Sequence, residues 1–182
     1  MTRRALLLTL VVAAAILRGD GPALAANRVD QQNTPAPGTG GFGTSIYPNP
    51  QAQTFTAGAI GELDAVSVSL GGLTSNPNRA ASVVVRIFPT DGAGSPDTSV
   101  SPLGAGKAAL GTVAESGGWL RVPLSRRPTV RQGRVYALVV GTDGPLDFGW
   151  SGRTGDRYPR GTALPSGGDY SFQTFLVRRR RH

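Results

Sequence analysis

The chain has 182 residues, no cysteine and one histidine, the terminal His182, with 19 basic residues against 11 acidic ones. These counts exclude disulfides, thiolate or histidine metal sites, and Ser-His-Asp or Cys-His nucleophilic arrangements. The net charge of +8 does not indicate nucleic acid either, because four of the positives are Arg178 to Arg181 and no reading motif or basic face with stacking aromatics accompanies them.

Residues 1–25 follow the three-part grammar of a secretory signal peptide. Arg3 and Arg4 open it, Ala5 to Leu17 form the apolar run, and Ala23-Leu24-Ala25 supply an A-x-A cleavage site. The apolar run spans 13 residues, short of the ~20 that cross a bilayer, and no second apolar stretch follows. A secreted, extracellular product without a transmembrane anchor is expected. The route is Sec, or the twin-arginine pathway that the T-R-R-x-L-L order resembles. The RGD at Arg18–Asp20 falls inside the segment to be removed.

Residues 26–50 read as a loop-rich lead-in, since NTPAPGTGGFGTSIYPNP is dominated by proline, glycine and asparagine. Gly38 to Gly43 formally match G-x-G-x-x-G, but neither a preceding hydrophobic strand nor a following helix frames them as a dinucleotide site requires.

From residue 51 the hydrophobic period is two. Val66, Val68 and Leu70 alternate with Ser67 and Ser69, and Val83, Val85 and Ile87 with Val84 and Arg86. Gly104 to Val113 has the one plausibly helical composition, against which its glycines argue. Leu120, Val122 and Leu124 alternate around Pro123, whose missing N–H predicts an edge strand. Tyr136, Leu138 and Val140 alternate with Val135, Ala137 and Val139, so this strand is apolar on both faces and expected to be central. Phe148 and Trp150 share a face, and DYSFQTFLV supplies the last strand. Turn signals such as GGLTSNPN, PTDGAGSPD, RQG and GTDGP separate the runs. The expectation is a single all-β domain, an antiparallel sandwich over residues 51–177, with a basic tail at 178–182.

The order of the segments resembles a group of secreted bacterial jelly-roll modules, the choice-of-anchor type domains. The resemblance begins at Asp30-Gln31 and continues through QTFTAG at Gln53–Gly58, LDAVSVSL at Leu63–Leu70 and VVVRIF at Val83–Phe88. It then takes in GSPD at Gly94–Asp97, GGWLRVPL at Gly117–Leu124 and GRVYALVV at Gly133–Val140. FGWSG at Phe148–Gly152, YPRGTAL at Tyr158–Leu164 and DYSFQTFLV at Asp169–Val177 complete it. It implies a jelly-roll sandwich similar to lectin-like and carbohydrate-binding folds, with no shared catalytic residues to carry over.

The densest chemistry lies in GPLDFGWSGRTGDRYPRG, residues 144–161. Sugar rings stack on exposed aromatics while charged neighbours bond their hydroxyls. Trp150, Tyr158, Asp147, Arg153 and Asp156 are therefore the candidate ligand-binding residues, with Trp119 a lesser one. Paired carboxylates for a polysaccharide hydrolase or lyase reduce to Glu62 and Asp64, which alternation puts on one face of a strand. A structural calcium is the one cofactor considered, on Asp91 and Asp97 or on Asp143 and Asp147. The expected function is a non-catalytic recognition module for a glycan or cell-envelope polymer, without nucleic-acid partners. A structural or surface-assembly protein without a small ligand is the alternative, and a carboxylate-dependent hydrolase or lyase a more distant one.

Overall fold

A computed structural model describes residues 27–34, 41–111, 113–114, 116–164 and 168–177. Residues 1–25, expected to be a signal peptide, the RGD, Glu115 and the basic tail lie outside these residues. The described chain is built of strands: β1 (Arg28–Asn33), β2 (Gly41–Ser45), β3 (Gln51–Thr56), β4 (Gly61–Gly72), β5 (Ser82–Pro89), β6 (Gly104–Ala109) and β7 (Gly118–Pro123). There follow β8 (Thr129–Val130), β9 (Val135–Thr142), β10 (Phe148–Thr154), β11 (Ala163–Leu164), β12 (Gly168–Tyr170) and β13 (Phe172–Leu176).

They form two antiparallel sheets packed face to face. The larger runs β1-β13-β4-β10-β12, with β2 on β10 and with β7 and β8 on β4; the smaller runs β11-β3-β9-β5-β6. The expected sandwich is thus the observed one, and β9 is the central strand of its sheet. Among the described residues β7 pairs only with β4, the edge position that Pro123 predicted.

The core follows from the alternation. Val66, Val68 and Leu70 of β4, Val83, Val85 and Ile87 of β5, and Leu138 and Val140 of β9 are all fully buried between the sheets. Each such side chain contributes roughly 1.5–3 kcal/mol, which matters in a chain with no disulfide to help. At Asp64 the register of β4 on β13 skips one residue, Phe175 facing Ala65 and Leu176 facing Leu63. This bulge lets Leu63 and Val66 both face inward and turns Asp64 outward to Arg127, 2.7 Å, and Arg121, 3.6 Å.

The lead-in is corrected. Residues 28–33 and 41–45 are strands of the larger sheet, not loop. Gly41-Phe42-Gly43 hydrogen-bonds along β10 at Arg153, Gly152 and Ser151. Glycines hid the alternation there while Phe42 still packs on the core. Gly104 to Ala109, at the start of the segment of helical composition, is strand β6.

Candidate functional site

The cluster at 144–161 does not come together as a platform. Trp150 is 0% exposed and stacks on Tyr170 at 4.3 Å, its indole N–H donating to the Ser171 carbonyl at 2.9 Å. Tyr158 is 6% exposed, edge-on to Phe172 at 5.1 Å, with its hydroxyl donating to Gln31 Oε1 at 2.7 Å. Both expectations are corrected, and the reason is the period: the face that buries Phe148 also buries Trp150. Asp147 ties a turn, Oδ2 accepting from the Asn78 amide at 3.0 Å. Asp156 is exposed beside a shallow cavity at Gly161 and Asp169. Arg153 alone of the five lines the groove described below.

What holds Tyr158 is a buried polar network. Asp169, 2% exposed, accepts from the Arg157 and Tyr158 amides at 2.7 and 2.9 Å and from Gln53 Nε2 at 3.1 Å. Gln53 Oε1 in turn accepts from the Tyr170 amide at 2.8 Å. Thr54 exchanges backbone and side-chain bonds with Thr162, and Gly161 lies so close that a Cβ there would sit 1.8 Å from the Thr54 carbonyl oxygen. Asp30 Oδ2 accepts from the Gly58 amide at 3.1 Å. Burial raises the Asp30 carboxyl above its ordinary value, against the opposing pull of the Gly58 and Ala59 amides. Burial also pushes the Tyr158 phenol up to about 12 and raises that of Tyr170. Asp30-Gln31, QTFTAG, YPRGTAL and DYSFQTFLV therefore meet in space as a structural clamp. Sequence reasoning missed it, although Gln51 and Gln53 sit in phase with the inward Phe55.

The groove arises where the larger sheet forks. One edge of β4 pairs with β13 over Leu63–Val68 and then with β10 over Leu70–Gly72. Ser171 stands at that changeover, its amide donating to Ser151 O at 2.8 Å and its carbonyl accepting from the Ser69 amide at 3.2 Å. Beyond the fork the outward positions are small: Gly71, Ser69, Ser151 and Gly43. They leave a cavity of about 410 Å³, walled by Phe42, Leu73 and Arg153. Among the described residues no acidic residue lines it. Ser171 also lines the cavity, and its buried Oγ has no hydrogen-bond partner among the described residues. A Cβ on Gly71 would come no closer than 3.8 Å to any described residue beyond its chain neighbours, so its missing side chain keeps the floor open.

Trp119 flanks this floor. It lies directly opposite Ser69 across the β4–β7 ladder, while Leu120 and Val122 point inward, so the indole stands on the outer face and is 44% exposed. Opposed residues in such a ladder have Cβ atoms ~5 Å apart. Further along the same face, Arg121 covers Phe175 at 3.9 Å, so the open apolar surface begins at Trp119. The arrangement joins an indole, serine hydroxyls, an open floor and a guanidinium, the mixture that binds hydroxylated rings.

The remaining acids have other work. Asp91 Oδ1 accepts from the Ala93 and Ser95 amides, Asp97 Oδ1 from the Ser99 amide, and Asp143 Oδ1 from the Ser82 amide, while Asp143 Oδ2 pairs with Lys107. Among the described residues no group of three or more His, Cys, Asp or Glu is placed to hold a metal ion. Glu62 is exposed, Asp64 is paired with arginines, and Asp169 is the one buried acid described. No protein-family model and no curated protein matches the sequence.

Proposed function

We propose that this protein is a non-catalytic recognition module that binds a glycan or cell-envelope polymer in the groove at the sheet fork. The observation that carries the reading is the open floor of small residues at the fork, Gly71, Ser69 and Ser151, beside the exposed Trp119. The half-buried Ser69 and Ser151 of that floor offer hydroxyls to a sugar hydroxyl entering the groove. Trp119 supplies a face for the C–H side of a ring, and Arg153 a directional donor. The signal-peptide grammar of residues 1–25 and the resemblance to choice-of-anchor modules support an extracellular setting for such binding.

A glycan array followed by titration with cell-wall polysaccharides tests the reading. Trp119→Ala and Arg153→Gln are each expected to weaken binding about tenfold or more, equivalent to about 1.4 kcal/mol. The melting temperature of Trp119→Ala should stay close to that of the parent, because the side chain lies at the surface. Absence of any glycan ligand, or unchanged affinity in both variants, overturns the proposal.

A further inference from the structure

A second cavity, of about 450 Å³, lies between the ends of β5 and β9, away from the fork. Arg131, Arg134, Tyr136, Thr129, Thr90 and Leu103 contribute to its wall. RQGR folds as a tight turn, the Arg134 amide donating to Arg131 O at 3.1 Å with Gly133 at φ +78°. Such a turn holds its first and fourth Cα atoms within ~7 Å, so two arginines rise from neighbouring points of the cavity wall. Neither makes an ion pair among the described residues, where the ion pairs join Lys107 to Asp143 and Arg121 and Arg127 to Asp64. The nearest acid in sequence, Asp91 after Thr90, holds its own turn through the Ala93 and Ser95 amides.

Tyr136 completes the site. It is buried, and its hydroxyl oxygen accepts from the Arg131 amide at 3.0 Å. That bond orients the phenol and leaves its proton with no acceptor among the described residues. Two arginines, a tyrosine and two threonines thus line one space, and the side chain of each is able to donate. Leu103, Pro89 and Val135 give the same space an apolar wall.

From this geometry we infer that the cavity binds a small organic oxyanion, a carboxylate or phosphate carried on a sugar-sized skeleton. Arg131 and Arg134 take the charge, with Tyr136 as a third donor. A cavity of this size falls within the ~300–1,000 Å³ range of small-molecule sites, larger than a bare oxyanion fills. The site is independent of the fork groove.

The test is an NMR and calorimetric titration of the purified protein with galacturonate, glucose 6-phosphate, their uncharged parent sugars and inorganic phosphate. Both sugar anions, or one of them, should bind and move the Arg131, Arg134 and Tyr136 signals, while galactose and glucose should not bind. The stronger of the two identifies the oxyanion. Arg131→Gln with Arg134→Gln should weaken binding about tenfold or more at unchanged melting temperature. Tyr136→Phe should weaken it while leaving its salt dependence in place. Absence of binding by both sugar anions overturns the inference. So does binding that persists in the double variant, equals that of inorganic phosphate, or disappears only when residues 178–182 are deleted.

Discussion

Tyr158 shows at a single residue how the clamp responds to its surroundings. Its hydroxyl is buried against Gln31, and the phenol is pushed up to about 12 by that burial. In the unfolded chain the same group ionises near ~10. Between these values the folded state retains a proton that the unfolded state has lost, so stability falls as pH rises from about 10 towards about 12. Tyr158→Phe removes the hydrogen bond and strands Gln31 Oε1, which costs about 1–2 kcal/mol at neutral pH. The variant also lacks the ionisable group. Denaturant unfolding at several pH values should show the gap between parent and variant closing across that alkaline window. A gap that stays constant would mean that the phenol does not keep its proton in the folded state.

The sheet fork is a property of elements, not of any one side chain. Its floor exists because the chain leaves β10 after β12 and joins β4 as β13, with Ser171 at the changeover, and because the outward residues around it are glycine and serine. Gly71→Val is the sharpest probe of it. The new side chain fills the groove, while among the described residues the nearest neighbours of its Cβ across the groove are Ser151 Oγ at 3.8 Å and Gly117 Cα at 4.0 Å. Valine also suits a strand better than glycine. The variant should melt at or slightly above the parental temperature and lose glycan binding; retained binding would place the ligand elsewhere. The same scale explains what the residues announce in advance. Val66-x-Val68-x-Leu70 and Tyr136-x-Leu138-x-Val140 state their period plainly, and Pro123 marks its edge. The strand β2 was hidden because Gly41 and Gly43 carry no side chain to alternate. The groove was illegible for a related reason: it joins residues from β2, β4, β10 and the β12–β13 junction, and small residues leave no pattern. Arg153 was found by composition, whereas Trp150 drew attention that its shared face with Phe148 should have directed to the core.

At the scale of the whole molecule the two tryptophans divide the work of the fold. Trp150 fills the interior between the sheets, stacked on Tyr170, and Trp119 stands on the outer face of the larger sheet. The sandwich thereby separates a polar clamp inside one end from a binding surface outside, and the basic turn at Arg131–Arg134 belongs to neither. A chain with two tryptophans gives two indole N–H resonances, one for each role, and that makes the central claim directly measurable. In a ¹⁵N-edited titration with a glycan identified on the array, the Trp119 indole signal should shift progressively to saturation. The Trp150 signal, hydrogen-bonded to Ser171 O and protected from exchange, should move much less. Saturable binding that leaves the Trp119 signal in place would contradict the account.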